Sequence, residues 1–306
     1  MKKKNPAAVI FAILAVILAL ALVTVSIKLY TSQNEIQILK DEITQLNSEL
    51  AEKEKEATVT PEPTKTPTKT PTPTPTPTVE MLGDLESVPA GTLVDEETID
   101  YSSLDKYFVA YPISDTVWAR IYGDDKSYKT YCTVPRDDLR YVKLLYTGFD
   151  GSTYVGELMV NSAVSDDIVY IFKTLFENKY PIYKMVLVDE YAADDDMSIA
   201  ANNTSAFNYR NVTGGTTPSN HAFGVAIDIN PINNPYIWFD EEGNTCWEDP
   251  DADLYLDRDA ADAYERHMIN TSDLCYRLFT ERGWTWGGSW SGPIDYQHFE
   301  KPIVAY

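Results

Sequence analysis

SNHAFGVAID, residues 219–228, is the stretch from which the chain is best read. Strand alternation places Val225, Ile227 and Ile229 on one face and Ala226, Asp228 and Asn230 on the other. A carboxylate therefore stands on the face where its nearest companion is a small alanine. His221 lies one short turn upstream, and Gly224 lets the backbone bend back between the two. An imidazole and a carboxylate can then meet at one ion. Alone the pairing is a weak signal, because an aspartate on a strand beside a histidine arises often by chance.

Moving outward, GWTWGGSWSGPIDYQHFE (residues 283–300) supplies a second histidine, His298, three residues after Asp295. The chain has only 3 histidines, so the position of each is informative. Two histidines and one carboxylate suffice to hold a catalytic zinc ion, with the remaining position open. His221, Asp228 and His298 are thus candidate zinc ligands. Asp295, outside that set, is the candidate general base, able to take a proton from water and pass it to a leaving amine. Glu300 can hold an imidazole by a hydrogen bond behind the ligands. Trp284, Trp286, Trp290 and the Gly287-Gly288 pair read as a cleft wall where backbone approaches substrate; plain core packing explains any single tryptophan equally well. His267, in the charged segment AYERHMINTSD, reads as a surface or helix-packing residue.

The surrounding segments set the fold class. DDIVYIFKTLFENK (residues 166–179) has apolar residues at helical spacing and acidic residues at its start, which suits the helix dipole. Residues 183–188 read as a buried strand, and residues 261–282 as an amphipathic helix ending at Gly283. The mixture predicts an α+β domain with a small antiparallel sheet and flanking helices, over residues 151–306. Residues 80–150 are either an N-terminal extension of that domain or a small module of their own.

The N-terminal third has a different character. Three lysines open the chain, and an uncharged apolar run follows from Pro6 to Ile27. Its length matches the ~20 residues that cross a bilayer as a helix. Lysines before the run predict an N-terminus in the cytoplasm. A cleaved signal peptide would want a shorter apolar core and a small-x-small cleavage site. Residues 1–30 therefore read as a cytoplasmic tip and uncleaved transmembrane anchor, with the rest exported and extracytoplasmic. In residues 31–57, Ile36, Leu39, Ile43, Leu46 and Leu50 follow 3-4-3-4 spacing. This seam fits a parallel coiled-coil homodimer; a solvated stalk that never pairs fits as well. Residues 58–79 are a Thr/Pro tract, an extended polyproline II spacer.

Charge excludes some partners. Residues 1–79 hold 9 of the 25 basic and 8 of the 47 acidic residues, leaving residues 80–306 with a formal charge of −23. Nucleic acid and anionic lipid need clustered Lys and Arg, so neither is a partner of this part. Cys132, Cys246 and Cys275 form no C-x-x-C pair, hence no thiolate zinc site and no disulfide framework.

S-x-H-x-x-G-x-A-x-D, extended by I-N-P-x-x-N-P-Y, together with W-G-G-x-W and D-x-x-H-F-E, resembles the zinc peptidases of peptidoglycan. That family includes D-alanyl-D-alanine carboxypeptidases of the vancomycin-resistance type and L-alanyl-D-glutamate endopeptidases of bacteria and phage endolysins. The likeness takes in NNTSAFNYRNVTGG (residues 202–215) and spans residues 155–301. It implies zinc as cofactor, His221, Asp228 and His298 as ligands and Asp295 as general base. It also implies Arg210 as the arginine that steadies substrate carbonyl or carboxylate oxygens, and a site-orienting role for Ser219. An ordinary salt bridge in a very acidic domain is the other reading of Arg210. Asp295-x-x-His298 in place of Glu-x-x-His leans towards the endopeptidase branch, while the bond cleaved stays open.

The expectation is a membrane-anchored zinc peptidase cutting stem-peptide amides of peptidoglycan. A zinc peptidase acting on non-wall peptides and a catalytically inactive wall-binding module are the alternatives.

Overall fold

Nine-residue runs dominated by apolar side chains, LRYVKLLYT and TYVGELMVN, form the longest strands of the computed structural model, which describes residues 81–212, 214–247, 250–301 and 303. In chain order the elements are β1 (Leu93–Val94), β2 (Val109–Pro112), α1 (Asp115–Ile121), β3 (Leu139–Thr147), β4 (Thr153–Asn161), α2 (Ser165–Glu177) and α3 (Asp195–Ala200). There follow β5 (Ala226–Asp228), β6 (Tyr236–Phe239), β7 (Thr245–Cys246), α4 (Leu274–Glu281), β8 (Thr285–Trp286), β9 (Ile294–Asp295) and β10 (His298–Glu300). The mixture of helices with small antiparallel sheets is α+β. The apolar run of residues 6–27, the heptad seam and the Thr/Pro tract lie outside the described residues. Among the described residues no helix is long and apolar enough to cross a membrane.

The first sheet has the order β1-β4-β3-β2, and its strands pair antiparallel. Leu139 lies opposite Asn161 and Thr147 opposite Thr153, so β3 and β4 make one hairpin that crosses residue 150. Helix α2 packs on β3 and buries Ile168, Ile171, Phe172 and Leu175, the i, i+3, i+4, i+7 stripe of its sequence. Each such side chain contributes roughly 1.5–3 kcal/mol through burial. The same core takes in Leu144, Val155, Ile227, Phe279 and Phe299, so apolar packing reaches from the large sheet to the strands that carry the candidate ligands.

Those strands are short and belong to a second sheet, β5-β10-β8; a third, β7-β6-β9, flanks it. Gly224 ties the first sheet to the second. Its φ is +68°, and a Cβ there would sit 2.7 Å from the Asn161 backbone nitrogen at the end of β4. The Asn161 N–H donates to the Gly224 carbonyl at 2.8 Å, and the Asn161 amide donates to the Phe223 carbonyl at 3.1 Å. Only glycine combines that φ with that approach.

Two sequence expectations fail here. Residues 183–188 form no strand: Lys184 makes only an isolated bridge with Asn203, Val188 opens the 3-10 turn Val188–Tyr191, and side-chain amides take two of the N–H groups between. The Tyr183 N–H donates to Asn230 Oδ1 and the Val186 N–H to Asn203 Oδ1, each at 2.9 Å. The helix expected over residues 261–282 is confined to α4, preceded by turns. Asp273 caps it, accepting from the Cys275 N–H at 2.7 Å, which fixes the start late in that segment. Gly283 follows its end with φ +82°, as expected of a helix stop.

Candidate metal centre

Register does most of the assembly. Asp228 at the end of β5 lies directly opposite His298 at the start of β10, so their side chains leave one face of the sheet. His221 arrives from the 3-10 turn Asn220–Phe223, which Ser219 caps by accepting from the His221 N–H at 3.3 Å. His221 Nε2 lies 3.2 Å from Asp228 Oδ2 and 3.2 Å from His298 Nδ1, and His298 Nδ1 lies 3.0 Å from Asp228 Oδ1. All three side chains are buried.

The hydrogen bonds behind the ring nitrogens fix their roles. His221 Nδ1 faces the Ala206 carbonyl at 2.6 Å, which can only accept, so that nitrogen carries the proton. His298 Nε2 likewise faces Glu300 Oε2 at 3.1 Å, and Asn220 donates to the same oxygen at 2.6 Å. His221 Nε2, His298 Nδ1 and the Asp228 carboxylate are then three lone-pair donors aimed at one point. Without a cation such a set repels itself and must share a proton. Zinc held at ~2.0–2.1 Å in near-tetrahedral geometry sets ligand atoms about 3.3 Å apart, close to the spacing found here. The donor set therefore fits a zinc ion, with an imidazole partner behind each ring as metal histidines usually have.

Electrostatics agree. Burial opposes ionisation of Asp228, but His221 and His298 outweigh it and hold the carboxyl well below the usual range. Burial also opposes a charged His298, yet its bonds to Asp228 and Glu300 push the imidazole up to about 10 in the metal-free site. Asp295 goes the other way. Burial first, and the negative charge of Asp228 second, raise it to about 7. Its Oδ1 is buried with no hydrogen-bond partner among the described residues. A buried carboxylate oxygen left open beside a cation site is poised to accept from a bound water or substrate group.

Gly287 brings Asp295 and His298 to this wall. A Cβ on it would lie 2.5 Å from the Asp295 carbonyl oxygen and 3.2 Å from the His298 Cβ. The glycine pair thus makes room for the protein's own residues rather than for substrate, since a Cβ on Gly288 would strike the Trp286 indole at 2.3 Å. The tryptophans divide. Trp284 and Trp286 are core residues, whereas Trp290 stays 39% exposed and faces the His298 ring at 5.3 Å between centroids.

Arg210 is not drawn into the triad's hydrogen bonds. Its Nη2 pairs with Asp195 Oδ2 at 2.5 Å and its Nη1 donates to the Asn211 carbonyl at 3.2 Å, while its Nε is buried without a partner among the described residues. His267 lies away from the triad, against the Phe149 ring at 4.0 Å, and burial lowers its pKa. Sequence reasoning missed the Ala206 carbonyl and Asn220. A backbone acceptor carries no residue-type signal, whereas Asn220 stands inside the S-N-H motif and was legible.

Residues 213–301 match the model of a peptidase family described as D-alanyl-D-alanine carboxypeptidase. The likeness read from the sequence is shown over this stretch, which holds His221, Asp228, Asp295 and His298 and stops short of Arg210. No curated protein and no solved structure matches the chain.

Proposed function

We propose that the chain is a zinc-dependent peptidase that hydrolyses amide bonds in peptidoglycan stem peptides. The observation that carries this reading is the convergence of three lone-pair donors beside a carboxylate oxygen with no partner among the described residues. His221, Asp228 and His298 hold the ion; Ala206, Glu300 and Asn220 keep both imidazoles oriented. The chemistry that zinc supplies when bound is Lewis acidity, which polarises a scissile carbonyl and eases proton loss from the attacking water. Asp295 accepts that proton on its open oxygen and returns it to the leaving amine. Arg210 steadies substrate carbonyl or carboxylate oxygens by exchanging Asp195 for them. Trp290 closes one wall of the cleft over His298.

The N-terminal third suits a wall substrate. A membrane anchor over residues 1–30, a stalk over 31–57 that dimerises as a coiled coil, and a Thr/Pro spacer over 58–79 would carry a domain over 80–306 outward from the cell membrane. Digestion of purified muropeptides by the zinc-loaded chain, with products identified by mass spectrometry, tests the assignment. Loss of one stem-peptide amide is expected, and the product fixes carboxypeptidase or endopeptidase action. Intact muropeptides alongside cleavage of unrelated peptides would leave a zinc peptidase but overturn its wall substrate.

A further inference from the structure

Residues 206–210 run along the turn that carries His221. The Asn208 N–H donates to the His221 carbonyl at 3.2 Å, and the Ser219 N–H to the Arg210 carbonyl at 3.0 Å. Phe207 packs into the core with Tyr141 and Met159, whereas Asn208 and Arg210 meet a separate piece of chain. The Asn208 amide donates to the Ala193 carbonyl at 3.2 Å, and Arg210 pairs with Asp195 at 2.5 Å. That piece is pinned at both ends. Upstream, Asp189 accepts from the Ser127 N–H at 2.8 Å and from the Ser127 hydroxyl at 2.6 Å. Downstream, Ser198 is buried and its hydroxyl accepts from the Asn203 amide at 3.0 Å. Between these anchors, each of residues 190–197 keeps its side chain exposed or half-exposed.

Two features oppose the position in which this piece is held. Ala192 and Ala193 are adjacent residues in the left-handed region, at φ +54° and +57°. A Cβ is disfavoured there, and such backbone persists where its surroundings hold it. Pairing across the contact is also incomplete. Asn208 Oδ1 and Arg210 Nε are both buried without a partner among the described residues, and each such atom weakens the arrangement that contains it. The Asp195 ion pair and the Asn208–Ala193 bond work against that strain. The balance is close, and one carboxylate of the protein occupies the arginine that a substrate would use.

We propose that residues 190–197 form an autoinhibitory strap, in which Asp195 competes with substrate oxygens for Arg210 until the strap lifts between its anchors. The proposal rests on the peptidase reading, in which Arg210 steadies substrate, and adds to it a control on substrate affinity. A ligand that needs the lifted form binds more weakly by the fraction of chains that are lifted. Zinc is held by residues off the strap and is indifferent to it.

Two substitutions in the zinc-loaded full chain push the strap in opposite directions. Asp195→Asn removes the competing charge and should lower KM for a muropeptide about three- to fivefold, with kcat little changed. Ala193→Gly relieves the left-handed backbone and should raise KM about two- to threefold. Hydrogen exchange over residues 190–197 without substrate should be faster in Asp195→Asn and slower in Ala193→Gly. Zinc affinity should be equal in all three proteins. A KM that rises in Asp195→Asn would make Asp195 a residue that positions Arg210 for substrate, and would overturn the strap. So would a KM that stays put in either variant or moves together with zinc affinity. If no muropeptide is cleaved, the peptidase reading fails, and exchange alone decides the strap: opposite shifts in the two variants support it, and equal exchange in all three refutes it.

Discussion

Two buried carboxylates, Glu157 and Asp228, sit in one domain and live under opposite conditions. Glu157 on β4 is saturated with donors. Arg120 reaches it with both terminal nitrogens, at 3.0 and 2.7 Å, the Tyr141 hydroxyl donates to it, and the Leu187 N–H lies at 3.5 Å. Asp228 instead faces two ring nitrogens whose opposite nitrogens already donate elsewhere, so that without a cation the three groups must share a proton, and Asp295 nearby holds an oxygen with no partner among the described residues. Burial of charge is common to both, so burial does not mark a functional site. Unmet acceptor capacity does. The Glu157 cluster is complete as it stands and carries structure; the Asp228 cluster is incomplete until a cation joins it.

The sharpest break between the two comes from removing a ligand. His298→Ala should take peptidase activity to background, more than about a thousandfold, since both the ion and its polarisation are lost; product formation from muropeptides measures it. Asp295→Asn should follow with a loss of roughly 10²–10⁴ in kcat, typical of a missing general base, while zinc stays bound. The pH profile sharpens this. Asp295 must be ionised to act, and its carboxyl is raised to about 7 in the metal-free site. A divalent cation lowers it, so the zinc enzyme should lose activity on the acid side below pH 7, with a limb that Asp295→Asn abolishes.

Arg120→Ala acts on the other cluster. It strands Glu157 in the core and should cost about 3–5 kcal/mol of folding stability in chemical denaturation, with zinc affinity of the folded protein unchanged. Glu300→Gln is the gentlest. It weakens the hold on His298 Nε2, and zinc affinity in a competition titration should fall about 10- to 100-fold, with stability little altered.

How much of this was legible in the sequence follows the same division. Helix α2 and strand β5 could be read because apolar periodicity and alternation report burial directly. The residues brought to one point, His221, Asp228 and His298, could be read because imidazole is scarce in this chain and a strand fixes which way Asp228 faces. What could not be read is whatever side-chain amides do. Asn230 and Asn203 take the N–H groups of Tyr183 and Val186, and Val188 turns into a 3-10 helix, so the segment is no strand, and no periodicity reports that. Asp273 placed the start of α4 late, a cap that the sequence contains but that an apolar pattern continuing upstream obscures. The partner of Arg210 was equally hidden, because Asp195 is one of three consecutive aspartates and only packing selects it. The opposition of Tyr236 to Asp295 depends on a register between strands 59 residues apart, which no local pattern encodes.

Zinc content decides the central claim. Elemental analysis of the full chain after dialysis against zinc and then zinc-free buffer should find one zinc per chain in the unaltered protein and essentially none in His298→Ala. Equal zinc in the two proteins, or none in either, would contradict a metal centre built from His221, Asp228 and His298.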